Sequence, residues 1–181
     1  MSPIEIYKYI LKGDVKEFPK GFWLKPEAID NAKTCAIYMI EEILKYNLED
    51  VKKKVNANTF RENRLGGMLK NTFNNKPFEI IKLIYPNIKE WELSNTSKKF
   101  WDNDDNKIDA IKWLIEEKLK LSDDEIKEKL SVKLFHENGL RKCLRTIGGS
   151  PFKAIDLAYP KRFREDEFNV LSSKKKRFDK C

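Results

Sequence analysis

The chain has 181 residues, 40% hydrophobic and 12% aromatic, with four Trp and eleven Phe, a composition that supports folded cores and excludes a disordered chain. Its formal charge of +8 is uneven: residues 1–130 hold 24 basic against 23 acidic side chains, and residues 131–181 hold 13 against 6. No apolar run approaches the roughly 20 residues that cross a bilayer, and three distant cysteines without a CxxC spacing exclude a disulfide framework and argue against a zinc site.

In chain order, residues 3–12 read as a short helix, with Ser2 as cap, Pro3 at its first position, Glu5 in its first turn and Gly13 at its end. Charges interrupt the apolar positions of this stretch, unlike a secretory leader, so a cytoplasmic, reducing location and no membrane partner are expected. The loop Phe18 to Trp23 follows, echoed by Phe100-Trp101. Each Phe-Trp pair is expected to staple over the long helix it introduces, because large aromatics bury the most area.

Three-to-four spacing of apolar residues predicts a helix from about Pro26 to Tyr46 and another from about Lys107 to Leu119. A second helix is expected at Asn47 and at Ser122, each residue serving as an N-cap, and Ser122 with Glu125 has the capping-box spacing. The third helix places Leu65, Met68 and Leu69, or Leu140, Cys143, Leu144 and Ile147, on one face. Gly66, Gly67, Lys70 and Asn71, or Arg141, Lys142, Arg145 and Thr146, then face outward. Glu62-Asn63 and Glu137-Asn138 are read as a loop that caps the free N–H groups of this helix. Gly148-Gly149 ends it, and Ser150-Pro151 opens a fourth helix that closes at Tyr159-Pro160. Trp91 and Phe168 sit on returning segments, and Lys174 to Arg177 form a basic tail.

The two halves repeat. Phe60, Glu62, Asn63, Leu65 and Leu69 match Phe135, Glu137, Asn138, Leu140 and Leu144 at a spacing of 75, and Pro77, Phe78 and Tyr85-Pro86 match Pro151, Phe152 and Tyr159-Pro160 at 74. Such periodicity sets the architecture. It predicts an all-α fold of two tandem helix-turn-helix-like units of about 75 residues: residues 1–21 as an N-terminal helix and aromatic loop, 22–95 and 96–170 as the units, and 171–181 as a disordered tail. No period-two alternation predicts a sheet.

The run Gly139-Leu140 to Leu144, leading into Gly148-Gly149-Ser150-Pro151-Phe152, resembles the homing-endonuclease-associated repeat. It is also similar to bacterial tandem-repeat proteins of unknown function that carry FW, SPF and AYP signatures. In the first family a Phe-Gly-Ser-Trp element precedes a small-residue helix; this chain has an extra glycine there and Phe152 in place of Trp. The resemblance implies helix-turn-helix-like DNA-binding modules.

A helix that is basic outside and apolar inside suits a major groove of about 12 Å. The expected function is therefore double-stranded DNA binding without catalysis, in a regulatory or mobile-element role. The candidate contacts are Arg61, Asn63, Arg64, Lys70 and Asn71 in the first unit, Asn138, Arg141, Lys142, Arg145, Thr146 and Lys153 in the second, and Lys174, Lys175, Lys176 and Arg177 in the tail. The competing expectation is a protein-docking surface made of Phe22, Trp23, Trp91, Phe100 and Trp101, and RNA binding is a third. His136, the single histidine, has no nucleophile or carboxylate at a catalytic spacing. Asp102, Asp104 and Asn106 mimic the start of a calcium loop, but Lys107 and Trp113 stand where glycine and the bidentate acid belong. No cofactor or metal is expected.

Overall fold

The computed structural model describes residues 1–168, and its regular structure there is entirely helical, with eleven α-helices and no strand. The predicted basic tail lies outside the described residues. The chain divides between Asn95 and Thr96 into two compact units.

Unit 1 begins with α1 (Pro3–Lys12), where the Ser2 hydroxyl accepts from the Glu5 N–H and the Glu5 carboxylate accepts from the Ser2 N–H at 2.6 Å. These reciprocal bonds satisfy donors that a helix start leaves orphaned. Gly13 closes the helix at φ 86°, a conformation that needs no Cβ. α2 (Ala28–Tyr38) follows, then α3 (Leu48–Lys54), α4 (Ala57–Glu62), α5 (Gly66–Phe73) and α6 (Pro77–Ile84). α1 packs on α2, and the buried Tyr7 hydroxyl donates to the Asn63 carbonyl at 2.7 Å. The first helix is thereby tied to the turn between α4 and α5.

Unit 2 runs through a 3-10 turn (Lys98–Asp102), α7 (Asp104–Lys112), α8 (Asp123–Lys129), α9 (Val132–Glu137), α10 (Arg141–Thr146) and α11 (Pro151–Ala158). Its core is built on Trp101, Ile111, Leu114, Phe135, Leu140, Leu144 and Phe168, all at most 2% exposed. Full burial of side chains this size stabilises by about 1.5–3 kcal/mol each.

Two features differ from the sequence expectation. The long helices do not run on as α-helix: each passes into a π turn, Met39–Ile43 and Trp113–Lys118. The Leu44 N–H reaches back to the Met39 carbonyl, and the Leu119 N–H to that of Leu114. Lys45 and Lys120 then turn left-handed, at φ 51° and 50°. The wider turn keeps Ile40 and Ile115 inside, at 0% and 1% exposure, while ending the helix.

The second difference is α4 and α9, which replace the expected loops. The Asn56 carboxamide oxygen accepts from the Asn58 and Thr59 N–H groups, and the Ser131 hydroxyl from that of Leu134. Each cap nucleates a helix of six residues, too short to show periodicity and held by burying Phe60 or Phe135. Among the described residues no helix is long and apolar enough to cross a membrane.

Candidate nucleic-acid interface

In unit 2, α9 and α10 are joined by three residues, Asn138 to Leu140, with Gly139 left-handed at φ 81°. The Leu140 N–H returns to the Phe135 carbonyl at 2.8 Å. The Asn138 side-chain amide donates to the Leu134 carbonyl at 2.7 Å. Unit 1 has the same parts between α4 and α5: Arg64 at φ 63°, the Leu65 N–H to the Phe60 carbonyl at 2.7 Å, and the Asn63 amide to the Thr59 carbonyl at 2.8 Å. In each unit two short helices are thus joined by a tight corner closed by the same two kinds of hydrogen bond.

The geometry corrects the expected part of Asn63 and Asn138. They do not cap the following helix, because their amides close the preceding one by donating to the Thr59 and Leu134 carbonyls within it. Glu62 and Glu137 are the last residues of α4 and α9, not loop residues. Arg61 likewise lies on α4 rather than on the third helix, with its guanidinium held 2.7 Å from the Asn58 carboxamide oxygen. Gly66 lets that stem pass: a Cβ there would stand 3.1 Å from Arg61 Cγ.

α10 turns Cys143 and Leu144 into the core and leaves Arg141, Lys142, Arg145 and Thr146 exposed. Burial pushes the Cys143 thiol up to about 12, which keeps it neutral and unreactive. The Thr146 hydroxyl is spent on the helix, donating to the Cys143 carbonyl at 2.7 Å. Among the described residues no carboxylate pairs with Arg141 or Arg145. Lys153 is exposed on the first turn of α11. In unit 1, α5 buries Met68, Leu69 and Phe73 and exposes Lys70 and Asn71, while Arg64 is exposed in the turn.

Beside α10 lies a recess of about 570 Å³ lined by Thr96, Lys98, Trp101, Lys142, Arg145 and Thr146. The Lys142 ammonium donates to the Thr96 carbonyl at 3.3 Å, tying α10 to the segment that precedes the 3-10 turn. Trp101 is 2% exposed, and its indole N–H has no acceptor among the described residues. A buried donor left this way costs about 1–3 kcal/mol. Thr96, Lys98 and Trp101 were not among the candidate contacts. The distance in sequence between Lys98 and Arg145 hides the cluster, and the only signal was the Phe-Trp echo.

The expected aromatic docking surface is largely core. Phe22, Trp23 and Trp101 are 9%, 7% and 2% exposed, and Trp91 and Phe100 are half-buried. In unit 1, Trp23 packs edge-on against Phe18 at 4.6 Å and Phe22 at 4.8 Å. The acidic linker also has structural duties: the Asn103 carboxamide oxygen caps α7, and the Asp104 carboxylate holds the buried Lys107 ammonium at 2.7 Å. Among the described residues no group of three His, Cys, Asp or Glu side chains is placed to hold a metal ion, and His136 is exposed.

Residues 4–90 match the model of a family described as a protein of unknown function (DUF4046), a stretch that falls within unit 1. No curated protein and no solved structure matches the chain.

Proposed function

We propose that the chain is a tandem duplication of one helical unit and that it binds double-stranded DNA without catalysis, through the α4–α5 corner of unit 1 and the α9–α10 corner of unit 2. The duplication is supported by local geometry that recurs at a spacing of 75: Lys45 and Lys120 are left-handed, as are Arg64 and Gly139. Ion pairs recur too, Lys52–Glu92 at 3.0 Å and Lys127–Glu167 at 3.2 Å. The corner agrees with the resemblance to the homing-endonuclease-associated repeat, whose modules are helix-turn-helix-like.

The observation that carries the binding reading is α10. It presents Arg141, Lys142 and Arg145 outward, directly after a three-residue turn, and no described carboxylate neutralises either arginine. Arginine on such a helix reaches phosphates or the O6/N7 edge of guanine. Lys153 adds charge near the start of α11, and Arg61, Arg64, Lys70 and Asn71 form the smaller contact set of unit 1. The two arginines and Lys142 lie in the part of the chain that holds most of the net positive charge.

A salt titration of duplex binding tests this. With about six phosphates contacted, the affinity falls with a log–log slope near −5. Duplex affinity that is absent at low salt, or flat in salt, overturns the proposal.

A further inference from the structure

We propose that the recess beside α10 is a built site for a phosphate group. The inference deepens the nucleic-acid reading and rests on it for one of two sources: a backbone phosphate of bound DNA, or a free phosphate compound. The chemistry recognised is the same in both.

The lining contains lysine, arginine, threonine and tryptophan and no carboxylate. Like charges gathered at one concavity repel each other and raise the local concentration of an anion. The contrast within unit 2 sharpens this. Arg162 pairs with Asp123 and Arg164 with Asp166, both at 2.6 Å, and Lys129 pairs with Glu125 at 2.7 Å. Lys98 and Arg145 at the recess have no carboxylate among the described residues. An arginine fork and a lysine point charge are together what binds a tetrahedral oxyanion.

Two of the lining residues are held in the core. Thr96 is 7% exposed, and Trp101 at 2% packs edge-on against Phe100 at 4.9 Å. The Lys142 bond to the Thr96 carbonyl links the two sides. At about 570 Å³ the space exceeds a bare ion and falls in the range of ligand pockets, so a phosphate arrives there with part of the molecule that carries it.

The test measures calorimetric binding of inorganic pyrophosphate and, separately, of a short DNA duplex to the full chain. The variants are Lys98→Ala and Arg145→Gln, with Lys12→Ala on α1 as control. Both recess residues are exposed, and unchanged melting verifies the fold. Lys98 lies outside the corner assigned to DNA, so it separates the two proposals. The expected result is that wild-type protein binds pyrophosphate and that each recess variant weakens it by about tenfold, with Lys12→Ala unchanged. If Lys98→Ala also weakens the duplex and pyrophosphate competes with it, the occupant is a backbone phosphate. Pyrophosphate binding without duplex binding assigns the recess to a free phosphate compound and removes the DNA reading. Wild-type affinity of Lys98→Ala for both probes, or no affinity of the wild-type protein for either, overturns the recess proposal.

Discussion

The two Phe-Trp pairs are treated differently by their units. In unit 1, Trp23 is enclosed by Phe18 and Phe22, and Phe18 in turn stacks on Tyr7 of α1 at 6.0 Å. In unit 2, Trp101 meets Phe100 and lines an open recess with Lys98, Lys142 and Arg145. The third helices follow suit: α5 begins Gly66-Gly67, with Trp23 4.0 Å from where a Cβ on Gly67 would stand, and α10 begins Arg141-Lys142. On the duplication proposed above, one scaffold would carry both arrangements, with stability set by the scaffold and the proposed ligand site set by the few exchanged side chains.

The largest effect expected from breaking either side is loss of a core leucine. Leu69 and Leu144 are 0% and 1% exposed on α5 and α10, so Leu69→Ala and Leu144→Ala each destabilise by about 2–5 kcal/mol, read from the denaturant midpoint. Similar losses show that the two third helices are equally structural. A loss under about 1 kcal/mol at Leu144 would mean that α10 is not anchored by its apolar face.

Binding is where the units should separate. Arg141→Ala with Arg145→Ala is expected to lower duplex affinity by about 10- to 100-fold at unchanged melting temperature. Lys70→Ala with Asn71→Ala is expected to cost less than about tenfold, because α5 offers one cation where α10 offers three. Equal losses by gel shift at matched salt would erase the asymmetry, and no loss in either would remove both contact sets.

Much of the scaffold was readable because its causes are local. Ser2, Asn47, Ser122 and Ser150 cap the helices that follow them, and a cap needs only the next three residues. The apolar stripe through Cys143 and Leu144 had the right phase for the same reason. α4 and α9 were missed at six residues each, although Asn56 and Ser131, matched caps at a spacing of 75, were the available signal. The π turns depend on how deeply Ile40 and Ile115 pack, which spacing does not encode. The recess was invisible because Thr96, Lys98 and Trp101 reach α10 only through the tertiary fold. Phe22, Trp23 and Trp101 are buried, as stapling aromatics are, and residue type alone does not separate that use from an exposed one.

A third comparison exchanges the left-handed residue of the corner. Gly139 sits at φ 81° and Arg64 at 63°, and no neighbour crowds a Cβ at Gly139. Gly139→Ala therefore costs only the backbone term, about 1 kcal/mol. Arg64→Gly relieves the same strain but adds freedom to the unfolded chain, so it stabilises by no more than about 0.5 kcal/mol. Thermal melts of both variants check the pair. Opposite signs support one corner geometry in both units, and a neutral Gly139→Ala would show that the turn of unit 2 relaxes.

The smallest difference lies in acid. Glu125 is bound by the Lys129 ammonium at 2.7 Å and accepts from the Ser122 N–H at 3.0 Å, which holds its carboxyl down to about 2 from an ordinary 4.5. Asp50 in unit 1 is lowered in the same way, by Lys54 first and the Asn47 N–H after it. A carboxyl whose folded pKa is depressed binds fewer protons folded than unfolded, so its contribution is complete above 4.5 and is lost as pH falls from 4.5 toward 2. Both side chains face solvent, and salt weakens what they contribute. Glu125→Gln removes the titration while keeping an oxygen at the cap, so melting temperature should fall less steeply with pH across that window than in the wild type. Asp50→Asn should change the acid limb in the same direction, because the Asp50 carboxyl is lowered as well. An acid limb unchanged by Glu125→Gln would mean that the unfolded chain already keeps the Ser122–Glu125 box, a local contact that needs no tertiary fold to form.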